Sequence, residues 1–166
     1  VNRFFLLFVM VNMGFNQGMQ PIAGYNYGAG KYDRLKRVFK YTVLCAVATS
    51  TVGFILGQLC PGVITRMFTT NRELTDMAER GLHLVLILFP LVGYQMVSAN
   101  FFQSIGMAKK AIFLSLSRQL LFLIPFLLIM PRMLGTDGVW LSIPMADLVS
   151  ITVTTIMLRR EMKKLR

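Results

Sequence analysis

The sequence predicts an all-α membrane protein, a polytopic bundle of transmembrane helices. Of its 166 residues 55% are hydrophobic, and the mean hydropathy is +0.59, which is more apolar than an ordinary soluble domain. Five apolar runs are each about 20 residues or longer, as a helix needs to cross a bilayer. These five predicted spans lie at residues 4–29, 41–64, 82–105, 111–130 and 139–158, so residues 1–166 form a single transmembrane region.

The basic residues predict the orientation of this bundle. The net charge is +11, and 12 of the 18 lysines and arginines fall in three clusters, at residues 31–40, 109–110 and 159–166. Clusters that alternate with apolar runs are typical of cytoplasmic loops. We therefore expect a multi-pass protein of the cell membrane, in a bacterium the inner membrane, with membrane lipid as a partner and a cytoplasmic carboxyl terminus. This distribution does not favour nucleic acid as a partner.

Span one becomes polar in its second half. Helical spacing puts Asn12, Asn16 and Gln20 on one face, and Pro21 leaves the carbonyl of Gln17 without a helical donor. Lipid offers no hydrogen-bond partner, so this face should look at protein or at a wet cavity. Two interpretations stay open: a kinked helix whose amides bond to its neighbours, and a helix that lines a substrate path.

Small residues and turn signals divide the next part of the chain. Glycines four residues apart predict close helix contacts, and Pro61 should end or kink span two. Residues 66–80 mix both signs of charge and are interpreted as an outer loop, in which Asn71 can cap a short helix. The glycine pairs are Gly14/Gly18, Gly24/Gly28 and Gly53/Gly57.

Span three carries several neutral polar side chains. Met96, Asn100 and Gln103 share one helix face, while Tyr94 and Ser98 share another. Uncharged polar groups among methionine and phenylalanine suit an amphiphilic or cationic small molecule. The predicted substrate-path residues of spans one and three are Asn16, Gln20, Pro21, Asn26, Tyr94, Asn100 and Gln103.

Two charged residues lie deep in the last two spans. Arg118 and Asp147 would each cost about 2.5–3.5 kcal/mol at a helix centre. Their predicted depths differ by about 6 Å at the helical rise per residue, within reach of an arginine side chain. Three roles stay open: a structural ion pair, coupling to a proton or cation, and contact with a cationic substrate.

The sequence shows no catalytic arrangement of residues. The sequence has no Ser/His/Asp arrangement, no cluster with metal-ligand spacing and no phosphate-binding glycine loop. We therefore predict neither an enzyme nor a metal site.

Several stretches together resemble one transporter family. Residues 20–30, QPIAGYNYGAG, followed by Tyr32, Asp33 and Arg34, resemble a signature of multidrug and toxic compound extrusion (MATE) transporters. Further similar stretches lie at residues 93–95, 102–110, 117–119 and 137–147.

The resemblance implies two six-helix lobes around a central cavity, and export of drugs, often cationic, in exchange for Na⁺ or H⁺. This chain resembles helices eight to twelve, part of the carboxyl-terminal lobe, so the amino-terminal lobe is an expected partner. The coupling carboxylates of the family lie largely outside this part, and no cofactor besides the coupling ion is expected.

Alternatives to drug export remain. The chain begins with Val1 rather than methionine, which suggests a fragment of a longer protein. A lipid or polysaccharide flippase of related architecture is one alternative function. A non-transporting membrane fragment is the other.

Overall fold

A computed structural model describes residues 2–68 and 70–165; Val1, Thr69 and Arg166 lie outside this part. Within it the chain forms eight α-helices and one π-helical segment and contains no strand, which confirms the all-α class. The elements are α1 (Asn2–Gly28), α2 (Tyr32–Leu59), α3 (Pro61–Phe68), α4 (Arg72–Leu86), α5 (Phe89–Ser104), α6 (Ala108–Leu116), the π-helical segment (Ser117–Leu123), α7 (Ile124–Leu134) and α8 (Thr136–Lys164).

Among the described residues, three helices are long and apolar enough to cross a membrane: α2, the continuous stretch Ala108–Leu134, and α8. The pair α4 and α5 makes a fourth span if its two bent helices are taken as one. The predicted span at residues 4–29 coincides with α1, which is 27 residues long but is not among these apolar helices. The amides and glycines of its second half account for the lower hydropathy. A fifth span at α1 stays a prediction.

The predicted third span is two helices that meet at an angle of 54°. Pro90 lies in the first turn of α5, and without an N–H it cannot continue the ladder to the carbonyl of Leu86. Before the bend, α4 begins inside the predicted outer loop, where the Asn71 side chain accepts a hydrogen bond of 3.1 Å from the backbone N–H of Glu73. The predicted cap is therefore present.

Helix α5 lies at the centre of the bundle, in contact with α1, α2, α6 and α8. Its Phe101 is fully buried and packs against Phe39 of α2, with ring centroids 4.8 Å apart. At the other end of α5, Phe89 packs against Phe5 and Phe8 of α1. Because lipid is as apolar as these side chains, such contacts stabilise the bundle by close packing rather than by removal from water.

Two glycines of α2 and one of α5 permit close helix approach. A Cβ on Gly57 would lie 2.1 Å from Leu86, and one on Gly53 would lie 2.8 Å from Phe89, so the predicted Gly53/Gly57 contact is confirmed. A Cβ on Gly93 would lie 2.7 Å from the backbone oxygen of Ala46. Here α5 rests directly on the backbone of α2.

The glycine contacts predicted for α1 are largely wrong within the described residues. Gly24 approaches the backbone oxygen of Ser104, 3.2 Å from an ideal Cβ. By contrast Gly14, Gly18 and Gly28 have no atom within 4 Å of a Cβ. Spacing alone identifies a small-residue stripe, but it does not say whether another helix covers that stripe.

The contact at Gly93 predicts that a glycine-to-alanine change destabilises the protein at this position and not at an uncovered glycine. Gly93→Ala should destabilise the protein by about 1–3 kcal/mol or more, because the methyl group meets a backbone oxygen that cannot rotate away. Gly18→Ala is the matched control; it should be neutral or stabilise by up to about 1 kcal/mol, as alanine favours a helix. Thermal unfolding of the purified protein in detergent compares them. Equal stability of the two variants would contradict the close α2–α5 contact.

The orientation can be tested by cysteine labelling. In a background without Cys45 and Cys60, Thr75→Cys should react with an impermeant maleimide added outside intact cells, and Lys36→Cys should react only after permeabilisation. This expectation rests on the basic cluster near Lys36, because such clusters are usually retained on the cytoplasmic side. The opposite labelling pattern would overturn the predicted orientation.

Candidate functional site

The polar face of α1 begins with two buried amides. Asn12 Nδ2 donates to Ser50 Oγ of α2 over 2.9 Å, and Asn16 Nδ2 donates to the backbone oxygen of Asn12 over 3.0 Å. The two residues are 1% and 3% exposed. This part of the face therefore looks at protein, and it holds α1 against α2.

The next amide on this face connects α1 to α5. Gln20 Nε2 donates to Asn100 Oδ1 over 3.2 Å, while Asn100 Nδ2 donates to the backbone oxygen of Met96 over 2.8 Å. The Gln20–Asn100 bond brings together two residues that are 80 positions apart in the sequence. It places α1 beside a groove on α5.

The groove lies between α5 and the helix formed by α6 and the π-helical segment. It consists of two pockets of 410 and 270 Å³ that share Ala99, Asn100 and Ser115. One pocket extends to Gln103, and the other extends to Arg118. The remaining lining residues are Gln95, Met96, Ala108, Ala111, Ile112, Leu114, Leu116 and Gln119.

The predicted site residues divide between this groove and other places. Asn100, Gln103 and Arg118 line the groove, and Gln20 adjoins it through Asn100. The other four substrate-path candidates do not line it. Asn16 is buried, Pro21 is exposed, Asn26 bonds to the backbone of its own helix, and Tyr94 lies 3.2 Å from the hydroxyl of Thr155 on α8.

Three polar groove residues were not among the sequence-predicted candidates. Ser115 and Gln119 are four residues apart on the groove side of the α6 helix and its π-helical continuation, a spacing that could have identified them. Gln95 donates to Ser150 of α8. Among the described residues its side-chain oxygen accepts no hydrogen bond, although it is buried.

At the end of the groove Arg118 meets Asp147. Arg118 Nε lies 2.6 Å from Asp147 Oδ1, and Asp147 is 3% exposed while the arginine side chain is 30% exposed. The structure therefore brings together the two charges expected to be within reach of each other. The guanidinium group bonds to α8 and also borders the groove.

A π-helical turn carries Arg118. Within it the backbone N–H of Ile124 bonds to the oxygen of Gln119, five residues earlier. The proline at position 125 explains the wider turn, because it cannot donate to the carbonyl of Leu121 and its ring would crowd that oxygen in an α-helix. Turns of this kind frequently occur at functional sites.

The groove has no carboxylate among its described lining residues. Across the described chain, no group of three or more His, Cys, Asp or Glu side chains is arranged to hold a metal ion. What the groove offers is amide and hydroxyl groups, apolar walls, and one guanidinium whose charge is balanced on α8.

A polar groove and a partly buried ion pair within a bundle of apolar helices are typical of membrane proteins that bind a polar or charged solute. The chain belongs to the MatE family, whose sequence pattern it matches over residues 1–129. This membership confirms the resemblance, and the family consists of transporters rather than enzymes. The correspondence to helices eight to twelve stays a prediction.

Among curated relatives, the chain is 26% identical over 146 residues to the multidrug export protein MepA of Staphylococcus aureus strain MSSA476. The alignment covers 83% of this chain and 30% of that protein. The chain therefore spans less than a third of the length of this relative.

Solved structures show the same fold. The MATE multidrug transporter DinF-BH, determined as a complex, superposes with a TM-score of 0.87 at 40% identity, over 95% of this chain and 35% of that one. A MATE protein in a straight conformation superposes with a TM-score of 0.91 at 21% identity, over 98% of this chain and 37% of that one. The second likeness shows the fold alone.

The ion pair predicts a characteristic double-mutant result. Asp147→Asn and Arg118→Met should each reduce folded protein, because breaking a buried pair costs about 3–5 kcal/mol. The double variant should recover part of the loss, since neither charge then lies unpaired. Folded protein in detergent, measured for wild type, both singles and the double, checks this expectation.

The same four proteins also test whether Asp147 carries the coupling ion or only forms a structural ion pair. If Asp147 carries the coupling ion, Asp147→Asn should fold normally but lose exchange, and Arg118→Met should not restore it. Strictly additive losses of folded protein would contradict a structural pair. Normal gradient-driven exchange by a folded Asp147→Asn protein would contradict coupling through Asp147.

Proposed function

We propose that this chain is part of a secondary active multidrug efflux transporter that exchanges amphiphilic drugs or other organic cations for Na⁺ or H⁺. Membership in the MatE family supports this function. The similarity to a protein named for multidrug export and to a multidrug transporter of known structure supports it further.

The groove between α5 and α6 is the observation that carries the proposal. Its pockets of 410 and 270 Å³ are comparable to those that bind small molecules, about 300–1,000 Å³. Ala99, Ala108, Ala111 and Ile112 supply apolar walls. Met96 is flexible and polarisable, so it adapts to ligands of different shape.

Neutral amides suit weak binding of many different compounds. The Gln103 side chain is exposed to the groove, and the Asn100 oxygen already accepts a bond from Gln20. Such groups can accept a hydrogen bond from an ammonium group without holding it as tightly as a carboxylate would. Asp147 neutralises Arg118 at the groove end, so a cationic substrate would not face an unbalanced positive charge.

The coupling ion belongs, in this proposal, to residues outside the groove. The groove has no carboxylate among the described residues, and the one carboxylate bonded to its lining is already paired with Arg118. The amino-terminal lobe is the proposed partner that completes both the central cavity and the coupling site.

The direct test is transport by the complete protein in vesicles. A fluorescent lipophilic cation should leave the vesicle interior when a Na⁺ or an H⁺ gradient is imposed, and dissipating that gradient should stop it. Absence of movement under both gradients would contradict the exchange. Transbilayer movement of a labelled lipid, without movement of the cation, would favour a flippase instead.

Gln103 provides a specific test of the groove. Gln103→Leu should shift the relative export rates of cations that differ in hydrogen-bonding groups, with little loss of protein, because the amide has no partner among the described residues. Gln17→Leu, the same change at an exposed position of α1 outside the groove, is the control. Export rates for a panel of fluorescent cations, divided by protein amount, give the comparison. An unchanged panel for Gln103→Leu would contradict a substrate path here.

A further inference from the structure

A second concave site lies where α8 leaves its apolar stretch, away from the groove. A pocket of 430 Å³ is lined by Lys110 of α6 and by Met157, Arg160, Glu161, Lys163 and Lys164 of α8. The predicted span of α8 ends at residue 158, and this predicted topology puts the charged part of the pocket at the level of the lipid headgroups. Four cations and one carboxylate therefore surround a cavity at the membrane surface.

The one carboxylate is engaged by two of these cations. Glu161 is 4% exposed, forms an ion pair with Lys110, and lies 3.5 Å from Lys164. The hydrogen bond from Lys110 holds the pKa of the Glu161 carboxyl below its usual value, so this group stays ionised at neutral pH. The arrangement ties α6 to α8 and shapes the pocket wall.

The other two cations remain without a counter-charge. Among the described residues neither Arg160 nor Lys163 forms an ion pair. Ile156 lies four residues before Arg160 and seven before Lys163, so all three share one helix face. Ile156 is 49% exposed. This stripe of α8 therefore presents an apolar side chain and then two cations to the same surroundings.

We infer that this pocket binds the phosphate group of an anionic phospholipid, with Arg160 and Lys163 as its ligands. The phosphate supplies the counter-charge that the two cations lack. The acyl chains lie along the apolar part of the stripe at Ile156. Basic pockets between membrane helices bind anionic headgroups through this combination of charge and adjacent apolar surface. A free phosphate ester would satisfy the cations but would leave the apolar part of the stripe without a contact.

Two double variants with the same change in net charge test the site. Arg160→Gln with Lys163→Gln removes both unpaired cations and keeps the Glu161 contacts. Lys109→Gln with Arg159→Gln removes two exposed neighbours that do not line the pocket. Native mass spectrometry of the full-length protein in detergent then counts bound phosphatidylglycerol or phosphatidylcholine, with glycerol 3-phosphate added as a competitor.

The wild type should retain phosphatidylglycerol in preference to phosphatidylcholine. The Arg160/Lys163 variant should bind it about 25-fold more weakly, at about fivefold for each cation next to an anionic lipid, and the Lys109/Arg159 variant should bind nearly as the wild type does. Equal weakening in both variants, or no preference between the lipids, would overturn the site. Displacement of the lipid by glycerol 3-phosphate at a comparable concentration would show that the phosphate alone accounts for binding, and would overturn the proposed contact of the acyl chains at Ile156.

Discussion

The bilayer offers no hydrogen-bond partner to the polar groups that this chain carries in its apolar helices, and this constraint determines which helices meet. Asn12 donates a hydrogen bond to Ser50 on α2. Gln20 donates to Asn100 on α5, and Arg118 donates to Asp147 on α8. Each of these bonds joins different helices, so the polar residues that weaken insertion also specify the arrangement of the bundle.

Close packing further stabilises the arrangement of helices that the polar hydrogen bonds specify. Gly93 allows α5 to rest on the backbone of α2, and about two turns further along α5 Phe101 packs against Phe39 of the same helix α2. With α5 fixed in this way, Asn100 and Gln103 face the gap towards α6 instead of the core. The groove is thus a consequence of packing on the opposite side of the same helix.

Much of this architecture follows from local sequence patterns. Apolar runs and basic clusters predict a membrane bundle, and helical spacing correctly separates the Asn100/Gln103 face from the Tyr94 face of α5. The neighbourhood of Arg118 and Asp147 follows from their similar depth in consecutive spans. These inferences succeed because they depend on helix geometry and on the cost of a charge in lipid.

The features that the sequence did not predict lie where helix geometry is irregular or where a contact depends on a neighbouring helix. Regular helical spacing does not predict the π-helical turn that carries Arg118. This turn arises because Pro125 disturbs the hydrogen bonds to the preceding carbonyls. The bend between α4 and α5 likewise depends on Pro90. Glycine spacing on α1 could not show that no described helix covers Gly14 and Gly18.

Three buried amides are incompletely satisfied, and this lowers the stability of the bundle. Asn12, Asn16 and Gln95 each donate a hydrogen bond through the side-chain nitrogen, while their side-chain oxygens lack a donor among the described residues. A buried acceptor left in this state costs about 1–3 kcal/mol. A fully satisfied network would hold these helices together more firmly. Only Gln95 borders the groove, and because its oxygen is buried, the cost there falls on the wall of the groove and not on a group open to a ligand.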